Sequence, residues 1–398
     1  MRTLTTPLLR EGSAAEAELN PLQLDRIRER AASWVDDGLT NSLVLLVARH
    51  GVVALHEAYG KLTPEPDSPD LEVSSIFPVS SLCKPITATA LLMLVEEGSV
   101  ELHRNVVYYL PEMKGVGADD VLVRHLLTHT SGFTEDDFIA FQAEQFKQRI
   151  KLPPLPENQH KSIHLSLHSR YGCPPSSPPD KVMMYCNHTY NLIVEIIRRV
   201  SGQAFAEFAQ ERIFTPLLMT DSSFLFEKHF RDRMVKRQPF ENPFGADLNS
   251  EKYLDTPWGS GGLNASAIDI AKFGQLFLKG GSTEEHQLLS KVSVNAMTTN
   301  QVPPGVPEVD WRASPQGSYG FGWFVFGDHR FPMNGALVPK GSYTHSGMGG
   351  VNFWVDPLND IVGVIYSIFE FEEGKAPPDD PPKLTSAAFQ DMATAAVI

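Results

Sequence analysis

Cysteine is scarce. Cys83, Cys173 and Cys186 are the three in 398 residues, and their spacing matches neither a disulfide framework nor a paired Cys-x-x-Cys zinc site. They read as reduced or buried thiols. Long apolar runs are missing too: no stretch approaches the roughly 20 uninterrupted apolar residues that cross a bilayer, which excludes a helical span. Positive charge is short, because 34 Lys and Arg stand against 48 Asp and Glu, a net charge of -14 that repels phosphate backbones and anionic lipid heads. Neither nucleic acid nor a membrane is an expected partner. Fixed-period repeats are absent, and Pro7 and Arg10 break the leader before any secretory apolar segment can form. These features predict a cytoplasmic protein whose first 20 residues fray, with Glu11, Glu16 and Glu18 simply solvating them.

What is present is a chain too long for one ordinary core, so two domains or one large elaborated domain is expected. From Pro21, Leu24, Ile27, Ala31, Trp34 and Val35 recur at helical spacing and stop at Asp36-Asp37-Gly38. Leu43 to Ala48 and Val52 to Tyr59, parted by Arg49-His50-Gly51, predict a hairpin. A polar loop from Lys61 to Ser74 ends in the extended piece Ile76 to Val79. Ser80 or Ser81 then supplies a cap oxygen, Pro85 sits in a first helical turn, and an apolar helix runs from Ile86 to Glu97 before Gly98.

Residues from Val121 to Val200 read as mostly helical. Leu152 to Asp180 interrupt them with seven prolines and no periodicity, which predicts a long surface excursion. Helical patterns return at Asn191 to Arg199, Ala204 to Phe214 and Ala267 to Leu278, and strands are expected at Gly320 to Gly327 and Val351 to Phe369. A proline-rich acidic tail, Gly374 to Pro382, precedes a last amphipathic helix, Leu384 to Val397, placed beside the first. The pattern is α/β: an antiparallel sheet flanked by helices, built from residues 1–115 and 255–398, with an inserted mostly helical domain at 116–254.

The chemistry starts at Ser81-Leu82-Cys83-Lys84. A hydroxyl and an amine three positions apart at a helix start project from nearly one face. A serine needs a neighbouring base, and a lysine in a dry pocket can give up its proton to become one. Backbone N–H groups at the helix start favour a developing oxyanion there. By itself Ser-x-x-Lys reads equally as an N-cap serine with a solvated lysine. Tyr185-Cys186-Asn187 adds a phenol that could share a proton with Lys84 and an amide that could orient a carbonyl, or else a loop tyrosine before a helix. His345-Ser346-Gly347 precedes a strand, where Gly347 would let a substrate approach the backbone closely. Trp258 beside Gly259 either lines an acyl pocket or anchors a loop. Cys83 reads as helix packing. His160, His164 and His168 repeat every fourth residue, a spacing that could align imidazoles for metal, but flanking prolines and the lack of a carboxylate pair favour a solvated loop. His125 and His129 read as structural hydrogen-bonding residues.

Taken in order, Ser-x-x-Lys at Ser81, Tyr-x-Asn at Tyr185 and a His-x-Gly triplet at His345 resemble the serine β-lactamase and penicillin-binding-protein superfamily, in its class C β-lactamase and family VIII carboxylesterase branch. The phrases Phe77-Pro78-Val79-Ser80-Ser81, His129-Thr130-Ser131-Gly132, Gly261-Gly262-Leu263, Tyr319-Gly320-Phe321-Gly322-Trp323 and His345 to Gly350 share the resemblance, which spans most of residues 20 to 370. It implies that Ser81 attacks an acyl carbonyl, that Lys84 and Tyr185 relay protons, and that the Ser81 and Met348 N–H groups form the oxyanion hole. Asn187 would orient a carbonyl or the lysine, and His345 would bond Tyr185 or a substrate carboxylate, giving a rate that changes between about pH 6 and 8. Histidine in place of the triplet's lysine favours esters over β-lactams. The implied function is a cofactor-free, metal-free serine hydrolase of small-molecule carboxylic esters, with weak β-lactam hydrolysis as a side reaction. An acyltransferase using an alcohol acceptor and a non-catalytic scaffold are the alternatives. Nothing in the sequence speaks to an oligomeric state.

Overall fold

The computed structural model describes residues 7–115, 117–237, 247–310, 313–327, 334–368 and 381–398, with side chains from 385 in the last segment. Strands β2 (Ser42–Arg49) and β3 (Val52–Gly60) form the expected hairpin. His50 and Gly51 at its turn take φ of 54° and 75°, the left-handed conformation that a tight two-residue connection demands. The chain returns to this sheet near its end through β8 (Tyr343–Gly347), β9 (Val351–Asp356) and β10 (Ile361–Ile368), with a two-residue β7 (Phe324–Val325) at one edge. With β1 (Arg10–Glu11) at the other edge, the strand order is β1-β3-β2-β10-β9-β8-β7, and every pairing except β1 with β3 is antiparallel. A second, three-stranded sheet joins β4 (Phe77–Pro78), β6 (Asn264–Ala265) and β5 (Ser222–Ser223).

Every position of β2 and β10 is buried, because helices cover both faces of the sheet. Val44, Leu46, Ala48, Val362 and Val364 point into the larger core, shared with helices α2 (Lys84–Glu96) and α6 (Ala267–Leu278). Leu43, Leu45, Val47, Ile361 and Ile365 point the other way, onto Leu24, Ile27 and Trp34 of α1 (Pro21–Asp36) and Phe389 of α8 (Pro381–Thr394). The first and last long helices therefore pack together as expected. Between them lie α3 (Glu135–Lys147), α4 (Lys161–His168), α5 (Asn187–Ser201) and, after α6, α7 (Lys291–Thr298). Helix α2 is buried from Lys84 to Leu94, since it is apolar all round and packs against α5 within the larger core. Among the described residues no helix is long and apolar enough to cross a membrane.

Three expectations change. The leader does not fray from residue 9 on: Leu9, Ala17 and Leu19 are buried, Arg10–Glu11 forms β1, and Leu19 bridges Val397. Glu16 is not merely solvating, for its carboxylate accepts from Arg10 and from the Ser13 N–H. The excursion at 152–180 contains helix α4, flanked rather than broken by its prolines, with His160 as its cap. Of the tail Gly374 to Pro382, residues 374–380 lie outside the described residues.

Candidate active site

The β4 strand delivers the chain to Ser80, a non-glycine residue at φ 49°, and a single 3-10 turn, Ser80–Cys83, leads into α2. Left-handed φ on a residue with a Cβ is a strained conformation that the surrounding structure has to impose. Here the Val79 N–H donates to Leu263 O at 3.0 Å, fixing the approach. Neither serine caps the turn with its side chain, contrary to the sequence expectation, so the Ser81 hydroxyl is left to line a cleft.

One turn on, Lys84 is fully buried. Its Nζ donates to Asn187 Oδ1 at 2.9 Å and to Ser260 O at 2.8 Å, and lies 4.7 Å from the Tyr185 ring centroid and 5.5 Å from that of Tyr190. Both hydrogen-bond acceptors are neutral, and among the described residues no carboxylate pairs with it. Burial pushes the ammonium down to about 7, with Cys83 and Glu135 pulling weakly the other way. The neutral amine is thus accessible near physiological pH.

Asn187 opens α5, and the backbone N–H groups of Asn187 and His188 donate to Glu135 Oε2 at 2.8 and 3.2 Å. An acidic residue from the start of α3 therefore satisfies the free end of α5 and sets the angle at which Asn187 meets Lys84. Tyr185 is half-buried, its N–H donating to Asp310 Oδ2 at 3.1 Å and its ring lying on His129, centroids 4.4 Å apart. His129 Nδ1 in turn accepts from the Cys186 N–H at 3.2 Å, and His125 Nε2 lies 3.1 Å from Asp180 Oδ2. Both histidines hold local structure, as the sequence suggested.

The cleft has a volume of ≈490 Å³ and is walled by Ser81, Asn187, Tyr253, Trp258, Ser260 and Met348 around its reactive end. A further arm reaches Glu135, Ile139, Gln142 and Arg170 on the helical side. The chemistry this arrangement supports is acyl transfer to a serine beside a neutral amine. A family model described as Beta-lactamase matches residues 28–383. The chain belongs to the Beta-lactamase family.

Relatives of that family divide among several named activities. Penicillin-binding protein 4* of Bacillus subtilis is 26% identical over 318 residues, a match covering 76% of this chain and 62% of that protein, so the chain spans less than two thirds of it. Esterase EstB of Burkholderia gladioli is 29% identical over 186 residues, 46% of either chain. The solved structure of EstCE1, described as a hydrolase with promiscuous acyltransferase activity, superposes with a TM-score of 0.72 at 20% identity, covering 93% of this chain and 98% of the other. That likeness is one of fold: an α/β sheet flanked by helices, in a family of serine hydrolases.

His345, in the triplet, is set back from the cleft. It is fully buried and is not part of the cleft wall. Its Nε2 lies 3.1 Å from Tyr319 Oη, its Nδ1 2.8 Å from Ser346 O, and its ring centroid 6.4 Å from that of Tyr185. The expected contact with a substrate carboxylate is therefore not available to it. At Gly347 a Cβ would lie 2.0 Å from Val79 O, so this glycine permits the close approach of the backbone before Ser81. Met348 and Trp258 both line the cleft, and Trp258 O also accepts from the Gly261 and Gly262 N–H groups, so that residue is both wall and loop anchor. Cys83 packs inward, its thiol pushed up to about 12 by burial. His164 is buried against Gln159 and Pro153 O, and among the described residues no cluster of three His, Cys, Asp or Glu side chains could hold a metal.

Sequence reasoning missed Ser260, whose carbonyl holds Lys84, and Glu135, which caps α5. A carbonyl acceptor has no side-chain signature, and an acidic residue in a first helical turn is too common to single out. Tyr319 was visible only as part of a quoted phrase.

Proposed function

We propose that the protein hydrolyses carboxylic esters through an acyl-enzyme on Ser81. The observation that carries this reading is the fully buried Lys84, with no charged partner among the described residues and pushed down to about 7 by burial, one helical turn from a serine that opens into the cleft. In the proposed cycle neutral Lys84, coupled to Tyr185, takes the Ser81 proton as its oxygen attacks the carbonyl carbon. The Ser81 and Met348 N–H groups receive the oxyanion. Among the described residues nothing accepts a hydrogen bond from the Met348 N–H, which keeps it available. The relay returns the proton to the departing alkoxide, and water repeats the sequence in reverse. Asn187 orients the relay and the acyl carbonyl, and Trp258 walls the pocket.

Esters are favoured over β-lactams because the triplet position is a buried histidine engaged with Tyr319 rather than a free cation. The names esterase EstB and EstCE1 among the relatives support the same choice. Transfer of the acyl group to an alcohol is the second reading, supported by the acyltransferase activity in the EstCE1 description. On the proposed division at 116–254, the cleft follows the seam between the helical part and the sheet-bearing remainder. The three free, buried thiols support a reducing, cytoplasmic setting.

Intact-mass measurement after mixing with a short p-nitrophenyl ester or a fluorophosphonate tests the reading. Wild type should gain one acyl or phosphonyl group, and Ser81→Ala should gain none while retaining its fold. Equal ester turnover by Ser81→Ala would refute the assignment. Loss of the adduct faster with added alcohol than with water alone would identify the transferase.

A further inference from the structure

Besides Lys84, a second buried cation lies close to Ser81, and the functional reading does not use it. Arg237 is 3% exposed. Its Nη1 donates to Met348 O at 3.2 Å and its Nη2 to Pro78 O at 3.3 Å, while its Nε has no partner among the described residues. Among the described residues no carboxylate pairs with it. Its backbone is fixed from both sides by Asn249, whose Oδ1 accepts from the Arg237 N–H at 3.0 Å and whose Nδ2 donates to Arg237 O at 2.8 Å.

We propose that Arg237 is a positioning residue for the oxyanion side of the cleft: its guanidinium ties the Met348 carbonyl to the Pro78 carbonyl and keeps a positive charge behind Met348. This rests on the functional reading above, in which Met348 N–H is an oxyanion donor.

Three observations converge on it. The two carbonyls belong to the two segments that must stay in register for the chemistry, the strand leading into the Ser81 turn and the turn after β8. The chain at Gly349 is bare where the guanidinium passes: φ there is 94°, and a Cβ would sit 1.1 Å from Arg237 Nη1. Finally, a strut with no electrostatic task would be better served by an apolar side chain, since a buried cation without a counter-ion is costly. Burial pushes the guanidinium down only to about 10, so it stays charged at neutral pH.

The consequence is twofold. With its carbonyl held by a buried cation, Met348 cannot turn that oxygen into the cleft, where it would repel an oxyanion. A fixed positive charge in a dry environment also favours the negative charge that develops in the tetrahedral intermediate more than it favours the neutral ground state.

The test compares wild type, Arg237→Met and Arg237→Lys in the full chain. It measures kcat and KM on p-nitrophenyl butyrate, the inhibition constant of a phenylboronic acid that forms a tetrahedral adduct on Ser81, and thermal unfolding. In Arg237→Met, kcat should fall about 10- to 100-fold, less than the ~100- to 1,000-fold expected from losing a direct donor. The boronate should weaken by a similar factor with KM little changed, the pattern of an interaction made only in the transition state. Arg237→Lys should recover part of both. A folded Arg237→Met with wild-type kcat, or with reduced kcat and unchanged boronate affinity, overturns the proposal. Should Arg237→Met fail to fold, Arg237→Lys decides: intermediate losses in both readouts support the clamp, and wild-type values in both overturn it. Absence of any Ser81 adduct in wild type would instead refute the functional reading itself.

Discussion

Lys84 and Arg237 are both buried near the Ser81 turn, both bonded to neutral acceptors, and both pushed down by burial. The outcomes differ because the starting points differ. The amine falls from 10.5 to about 7 and can act as a base, whereas the guanidinium falls from 12.5 to about 10 and remains a cation. On the proposed reading, one physical cause thus yields a proton acceptor and a permanent charge near the same serine. The comparison teaches that residue type, not depth of burial, assigns the two roles.

Making the two cations alike is the most severe way to break the contrast. Lys84→Arg places a group that cannot lose its proton where a base is needed, and acylation of Ser81 should slow about 100- to 10,000-fold, measured by the stopped-flow burst of p-nitrophenol. Retention of a tenth or more of the wild-type burst rate would show that Lys84 is not the base. A smaller disturbance acts on the other partner. Gly349→Ala puts a methyl group into the Arg237 guanidinium, and kcat should drop about tenfold. In an Arg237→Met background the same alanine should cost less than in wild type, because the two changes share one interaction and only the strain of an alanine at φ 94° is left to add. Full additivity of the two effects in kcat would separate Gly349 from the clamp.

How much of this could be read in the chain beforehand depends on how local the cause is. The β2–β3 hairpin, α1 and α2 were legible because alternation, helical spacing and terminal glycines act over a few residues. Ser81, Lys84, Tyr185 and Asn187 were legible as motifs, and the fold brings Lys84 Nζ to Asn187 and over the Tyr185 ring. Strand β1 was not, since two polar residues at an edge carry no pattern. Nor was α4, eight residues set among prolines that mark its boundaries rather than forbid it. His345 was legible as a motif, but its contact with Tyr319 was not, because sequence cannot show which side chain lies behind it. Arg237 belongs to no motif. Its importance arises from two carbonyls more than 100 residues away in the chain, Met348 O at a separation of 111 and Pro78 O at 159.

The smallest expected effect concerns stability. A folded-state value near 7 against 10.5 in the unfolded chain means that the unfolded state binds more protons between those pH values, so stability rises with pH across that window. Below about 7 the folded protein holds a buried charged amine. Lys84→Met should therefore raise the unfolding temperature by a few degrees, and by more at pH 6 than at pH 9, in calorimetric scans. A larger gain at pH 9 would contradict a lysine that is neutral when folded.

The most direct test is the pH dependence of the burst-phase acylation rate of wild-type protein with a p-nitrophenyl ester, whose own ionisation does not intervene. The rate should climb about tenfold per pH unit below neutrality and level off above an apparent value near 7, the signature of Lys84 losing its proton. A flat rate from pH 5.5 to 8.5 would contradict the claim that burial turns Lys84 into the base that activates Ser81.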